Sequence, residues 1–507
     1  MSLTTRSVSA ATWELGSVIV QAVLQLAFMA ILARFISPKD FGLYAIVNTV
    51  IAMVLIFSEI GIGSAIVQHK EISEQYLSTA FLLSIFLGAL ATGLTWLASP
   101  AITWFFKQPD VTHMIRVAGL TLFMSAYVTV ATSLLERELL YRKLAIINII
   151  SYAIGFGLIG IITAILKMGA WAIVIATLSQ YIIRAAMLLV TTRVVPKNVF
   201  SKYDLKDLLH FGAGISMSRL FNNFAYQVDV LIVGRLMGPT ALGLYQMGFQ
   251  IMDLPRRFLA SVIERVMFAA LTRIQDDTER MRTGYLQWLE LTNVILIPVT
   301  VIFIIVAPEA IHVMLGDQWD SLIIPLQILF TTVPLRASVR MGDTIGTAVG
   351  KVYNIAVLKI VYALMIAAGV FAGVRWGLVG VTAGITVAVF FNLVIMVWFT
   401  TRIVKVTVRD YLNSWLPGCV IGSIAAATTL LGTLVMRNNF ESELFRLIVV
   451  GSVAGLAILA TVWCWPRAAG NTAIRLILHF GRQAGFLPGV FVRLEKRVFG
   501  ARPVGQI

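Results

Sequence analysis

Fourteen apolar runs follow one another along the chain with only short polar segments between them. They lie at 11–36, 43–66, 77–97, 111–135, 145–166, 170–192, 207–237, 241–271, 284–306, 318–349, 353–373, 376–401, 411–436 and 443–465. A helix rises ~1.5 Å per residue, so about 20 apolar residues cross the ~30 Å hydrocarbon core of a bilayer. Inside a bilayer the backbone must satisfy its own N–H and C=O groups, which restricts spans to helices or closed barrels. Runs of this length are helical, and the pattern predicts an all-α integral membrane protein with 14 spans. Pro325 and Pro334 mark 318–349 as the run most open to a break. Only 13% of the 507 residues are charged, against about 25% in soluble domains. The two cysteines, Cys419 and Cys464, both fall within runs and imply no disulfide framework.

The net charge of +15 would suggest a nucleic-acid ligand in a soluble protein. Its distribution says otherwise. With the N-terminus in the cytoplasm, 23 of the lysines and arginines fall in cytoplasmic segments and 5 on the opposite side. That asymmetry matches the positive-inside bias, and it supports cytoplasmic termini and an even number of spans. No nucleic acid is needed to account for it.

The chain repeats itself. Arg34-Phe-Ile-Ser-Pro38-Lys-Asp-Phe-Gly42-Leu43-Tyr44 at the end of span one matches Arg235-Leu-Met-Gly-Pro239-Thr-Ala-Leu-Gly243-Leu244-Tyr245 at the end of span seven, at an offset of 201 residues. Lys167-Met-Gly169 before span six is echoed by Arg375-Trp-Gly377 before span twelve, at an offset of 208. Six spans separate the copies, so the repeat is parallel, about an axis along the membrane normal. It divides the chain into an N-terminal lobe (1–195, spans one to six), a cytoplasmic linker (196–206), a C-terminal lobe (207–401, spans seven to twelve), spans thirteen and fourteen (402–465) and a basic cytoplasmic tail (466–507). Pro38, Gly42, Pro239 and Gly243 suit tight interfacial turns.

Charges inside the spans are the candidate site. A charge near the bilayer centre costs ~3 kcal/mol or more unless it faces a cavity or a partner. Arg219 stands 12 residues into span seven, about 18 Å deep, which is near the midplane. Asp253, Arg256, Arg257, Ser261 and Glu264 share one face of span eight, and Arg336, Arg340 and Asp343 one face of span ten. Arg34 and Arg235, at the outer ends of spans one and seven, are placed to snorkel and are carried as outer members of the same cationic set. Arginine offers bidentate donors to phosphate oxygens and keeps its charge when desolvated, so the stripe suits an anionic ligand with Asp253, Glu264 and Asp343 balancing it. Structural pairing is the competing reading, with Arg257 on Asp253 and Arg340 on Asp343 at helical spacing. Glu14 and Glu59 are acids of the first lobe. Coupling to H⁺ or Na⁺ and pairing with arginine both stay open for them.

These residues carry a resemblance. Trp13 in the opening span, Arg34-x3-Pro38-x3-Gly42-Leu43-Tyr44, Ser58-Glu59-Ile60-Gly61-Ile62-Gly63-Ser64-Ala65 and Asp229-x5-Arg235-Leu-Met-Gly-Pro239 resemble the multidrug/oligosaccharidyl-lipid/polysaccharide exporter superfamily. Within it the chain is similar to Wzx-type polysaccharide flippases of the colanic-acid and xanthan exporter branch. The resemblance covers roughly 1–401. It implies two six-helix lobes plus two helices, V-shaped around a central cationic cavity. It also implies translocation of an undecaprenyl-pyrophosphate-linked oligosaccharide across the bacterial inner membrane by alternating access, for exopolysaccharide or lipopolysaccharide export. Membrane lipids and a polymerase of the same pathway are the implied partners.

Other chemistry has little support. Gly346-x3-Gly350-Lys351-Val352 departs from a phosphate-cradling loop in spacing and in its final residue. The five histidines are scattered without metal-ligand spacing, so no metal or cofactor is expected. A small-molecule or drug antiporter of the same superfamily is the nearest alternative, although cationic drugs favour an acidic cavity. A membrane glycan polymerase or glycosyltransferase would need catalytic acids at an interface and usually a sizeable outer loop, and neither is evident.

Overall fold

The computed structural model describes residues 3–59, 61–69, 72–193, 200–255, 267, 271–272, 274 and 277–464; side chains at 3–12, 14–15, 202, 207, 209–226, 438 and 463–464 fall outside that description. The basic tail and the first part of the 196–206 linker, 196–199, lie outside the described residues as well. Every regular element among the described residues is helical. Twelve stretches are long and apolar enough to cross a membrane, and one of them, Val352–Val404, holds two helices, Val352–Gly373 and Gly377–Val404. The protein is a multi-pass membrane protein. The count of 14 rests partly on span eight, whose second half, 256–271, is largely outside the described residues.

The chain packs as two compact units, Met1–Gln246 and Met247–Ile507. The boundary falls within the helical run Lys202–Pro255, which breaks at Gly238 (φ 81, ψ −178). Packing and sequence repeat are different properties, and the lobes read from the repeat remain a reading of the sequence.

In the first unit the helices Pro38–Glu59, Glu74–Phe106, Val111–Arg137 and Ala170–Thr192 pack around small and hydroxyl-bearing residues. Pro38 opens its helix, where its missing N–H costs nothing. The Ser37 hydroxyl donates to Asp40 Oδ2 (2.6 Å) and accepts from the Asp40 N–H (3.2 Å), which fixes the first turn. The two copies of the repeated motif touch each other here. A Cβ on Gly42 would stand 1.7 Å from the Pro239 carbonyl oxygen, and one on Gly243 would stand 1.8 Å from that of Pro38. This corrects the turn reading of the two glycines. Both lie inside helices, and glycine is required because two backbones cross in contact. The positive φ belongs to Gly238 instead. The second echo has a backbone counterpart: Gly169 (φ 55, ψ −130) and Gly377 (φ 68, ψ −157) each turn the chain immediately before a span.

In the second unit, Trp288, Leu289, Met341, Ile345, Met396 and Phe399 belong to one large buried cluster. Helices Val352–Gly373 and Gly377–Val404 cross through glycines: a Cβ on Gly373 would stand 2.3 Å from the Gly380 carbonyl oxygen, and the reverse distance is the same. Small residues permit such close approach when the surrounding solvent is lipid. The run 318–349 is not broken by its prolines. A 3-10 turn, Asp317–Leu322, leads into one continuous helix, Ile323–Ala348. Pro325 sits in that helix's first turn, where no intrahelical N–H bond is lost. Large apolar side chains such as Leu97, Phe371, Leu434 and Leu459 face outward, as lipid contact requires.

Candidate functional site

Among the described residues, two groups of charged side chains on membrane-spanning helices stand out, one in each unit. The first was only partly foreseen. The helix Pro38–Glu59 ends at Glu59, the chain turns at Gly61 (φ 61), and the short helix Ile62–Gln68 follows. Gly61 takes the left-handed conformation that glycine alone adopts without strain. Gly63 lets the short helix press on Val111–Arg137: a Cβ there would stand 2.7 Å from Ser133 Oγ. The result is a polar chamber of about 280 Å³. Among the described residues its charged members are Glu59, Glu136 and Arg184, with Tyr181 beside them and the hydroxyls of Ser64, Ser125, Thr129, Thr132 and Ser133 around them. Thr129 Oγ1 donates to Glu59 Oε1 at 3.2 Å. Arg184 Nε and Thr132 Oγ1 are buried and make no hydrogen bond to protein.

The second group is the predicted face of the helix Ile323–Ala348. Arg336 and Arg340 are half-buried one turn apart, with Asp343 one turn further on. Arg336 Nε donates to Thr332 Oγ1 (3.1 Å) and Nη1 to the Tyr362 hydroxyl (3.1 Å). Its guanidinium lies 5.4 Å from the centre of the Phe249 ring, a cation–π contact. Asp343 does not take the expected partner Arg340 in its described ion pair. It pairs through Oδ2 with Lys359 Nζ, while Asp343 Oδ1 is buried with no hydrogen bond. The reason is the tight antiparallel connection through Gly350 (φ 74), which sets Val352–Gly373 alongside Ile323–Ala348 and brings Lys359 and Tyr362 opposite the predicted face. Asp253 is buried next to Met252, whose sulfur lies 3.8 Å from Thr332 Oγ1.

The remaining predicted residues divide three ways. Arg34 is exposed in the last turn of Leu3–Phe35. Arg235 lies against the end of Glu74–Phe106: Nη1 donates to the carbonyls of Trp104 (3.4 Å) and Phe105, and its guanidinium stacks 5.5 Å from the Phe105 ring. With Trp104 and Lys107 it lines an open cavity of about 510 Å³. Arg256, Arg257 and Glu264 lie outside the described residues, as do the side chains of Arg219 and Glu14.

A family profile described as "Polysaccharide biosynthesis protein" matches residues 31–324, more than half of the chain and both copies of the repeated motif. The chain belongs to this family. It is 26% identical over 431 residues to the lipopolysaccharide biosynthesis protein WzxC of Escherichia coli strain K12, covering 82% of this chain and 86% of that one. It is 24% identical over 463 residues to the teichuronic acid biosynthesis protein TuaB of Bacillus subtilis strain 168, covering 90% and 94%. Its fold resembles the solved structure of the lipid II flippase MurJ in an inward closed conformation, with TM-score 0.71, 14% identity and coverage of 91% of this chain and 99% of that one. The expected family and the exporter-type fold are both borne out.

Sequence reasoning missed Glu136, Tyr181, Tyr362 and Phe249 altogether. Arg184 and Lys359 were visible as charges inside spans but received no role. For Lys359 and Tyr362 a signal existed. Two helices joined by a tight turn place residues at similar distances from that turn side by side, and Asp343 and Lys359 flank Gly350 in that way. For the chamber there was none, because its members come from helices more than 40 residues apart.

Proposed function

We propose that this protein is a flippase that carries an undecaprenyl-pyrophosphate-linked oligosaccharide repeat unit across the bacterial inner membrane by alternating access, with both termini in the cytoplasm. The observation that carries this reading is the cationic face around Arg336. Three cations, Arg336, Arg340 and Lys359, stand with Asp343 within membrane-spanning helices of a chain from the polysaccharide biosynthesis family. A pyrophosphate brings negative oxygens in the spacing that guanidinium forks match, and charge-assisted hydrogen bonds of this kind contribute about 1.5–3 kcal/mol each. Asp343 holds Lys359, while Tyr362 and Thr332 accept hydrogen bonds from Arg336. A pyrophosphate would offer that guanidinium charged acceptors in place of hydroxyls.

The relatives' roles in lipopolysaccharide and teichuronic acid biosynthesis, and the flippase fold shared with MurJ, support the same substrate class. Arg219, Arg256 and Arg257 extend the basic set by sequence position. A polymerase acting on the far side of the membrane would consume the flipped unit. Deleting the gene tests the reading: lipid-linked repeat units are expected to accumulate facing the cytoplasm while exported polymer disappears. Undiminished polymer in a strain without a redundant exporter would refute it. A second reading, a small-molecule antiporter, draws on the two glutamates of the chamber. It predicts that expression in a drug-sensitive host raises resistance to cationic drugs, whereas a flippase leaves resistance unchanged.

A further inference from the structure

The basic face suits the pyrophosphate and leaves the glycan unaccounted for. We infer that the chamber around Glu59, Glu136 and Arg184 in the first unit is a carbohydrate subsite that holds one or two sugar rings of the lipid-linked substrate before translocation. This assignment rests on the flippase reading above and deepens it.

The chemistry of the lining favours a polyol. A sugar hydroxyl donates and accepts at once, so its site needs acceptors, donors and groups that do both. Glu59 and Glu136 accept, the Arg184 guanidinium donates, and Ser64, Thr129, Thr132 and Ser133 do either, with Tyr181 adding a ring edge and a further hydroxyl. Arg184 Nε and Thr132 Oγ1 are buried with no hydrogen bond to protein. Two buried polar atoms of that kind are costly unless a ligand or solvent completes them.

Size discriminates against a bare ion. A water molecule takes up about 30 Å³, so the 280 Å³ chamber has room for several. Cations are bound by oxygens drawn in to about 2.3–2.6 Å, and a guanidinium in the same space opposes them. Drug-sized ligands occupy pockets of about 300–1,000 Å³, which leaves this chamber at the lower edge, adequate for a short stretch of glycan.

Position agrees. Glu59 closes Pro38–Glu59, and Glu136 lies in the last turn of Val111–Arg137. In the orientation set by the loop charges, both helix ends face the cytoplasm, the side on which the unit is loaded. The backbone agrees too: Gly61 and Gly63, which shape the chamber, belong to the same Ser58–Ala65 stretch as Glu59.

The test uses the purified full-length chain in lipid nanodiscs and two probes. One is undecaprenyl pyrophosphate. The other is the lipid-linked repeat unit extracted from the source bacterium with its polymerase gene deleted. The wild type is expected to bind the glycolipid at least about tenfold more tightly than the sugar-free lipid, since a site built to hydrogen-bond hydroxyls rejects ligands that lack them. Arg184→Gln and the milder Thr132→Val are expected to bring that ratio close to one while leaving the affinity for undecaprenyl pyrophosphate unchanged, which also reports that the variants are folded. A ratio retained in both variants overturns the assignment, as does a wild type that binds undecaprenyl pyrophosphate but shows no preference for the glycolipid. A wild type that binds neither probe removes the flippase reading and the subsite with it.

Discussion

Around Glu59 the first unit gathers two acids, one arginine and several hydroxyls; around Arg336 the second gathers three cations, one acid, a tyrosine and an aromatic ring. Both groups sit on helices long and apolar enough to cross a membrane. On the proposed reading, the two groups divide one amphipathic substrate between two chemistries. Hydroxyls are read by mixed donors and acceptors, while a pyrophosphate is held by fixed positive charge. Neither group would be tolerated in a lipid-facing span, because an uncompensated charge at that depth costs several kcal/mol.

Reversing the sign of the basic face should have the largest effect. Arg336→Glu places an acid where the pyrophosphate is proposed to bind, and like charges at a recognition site cost several kcal/mol. Polymer export in a complementation assay is expected to fall below detection, with the protein still present in the membrane at normal level. Arg336→Ala is a gentler version. It removes charge-assisted hydrogen bonds of about 1.5–3 kcal/mol, so affinity for undecaprenyl pyrophosphate should drop roughly 10- to 100-fold. If the two clusters act separately, the preference for sugar-bearing over sugar-free lipid should survive that change. Loss of both together would merge the clusters into one site.

The Asp343–Lys359 pair sharpens the comparison through stability. Lys359→Met strands a partly buried carboxylate. Removing one partner of a fully buried pair costs about 3–5 kcal/mol. Here the side chains keep 22% and 18% exposure, so about 1–3 kcal/mol is expected, read as a lowered thermal midpoint. The double variant Lys359→Met/Asp343→Leu should recover most of that loss. A double variant less stable than the single would mean that Asp343 has another essential partner. The smallest effect is expected at Arg34, exposed at the end of its helix. Arg34→Ala should change export by less than about twofold, since exposed charges contribute about 0–1 kcal/mol; a larger loss would draw Arg34 into the path.

The sequence disclosed the larger features because they depend on composition along the chain. Span positions follow from hydropathy, and the long apolar stretch Thr278–Met314 tolerates Pro298 and Pro308 as helix interior. The repeat was legible as well, but its physical meaning was not. Gly42 and Gly243 looked like turn residues, and only the crossing of their helices shows that each makes room for a carbonyl of the other motif. The basic face of Ile323–Ala348 was readable from spacing of four and three residues. The partner of Asp343 was not read, because Arg340 on the same helix offered a nearer cation than Lys359 on the next. The chamber lay beyond reach altogether. Glu59, Glu136 and Arg184 are brought together by tertiary packing alone, and no periodicity along one helix records it.

Transport of the lipid-linked unit itself is the most direct test. Purified protein is reconstituted into liposomes carrying the undecaprenyl-pyrophosphate-linked repeat unit, and the fraction of lipid reachable by an added sugar-modifying enzyme is followed over time. The wild type is expected to render the inner-leaflet lipid accessible well above the protein-free rate, and Arg336→Glu to return it to that rate. Equal flipping by wild type and Arg336→Glu would contradict the proposed role of the basic face, and no flipping by the wild type would contradict the account as a whole.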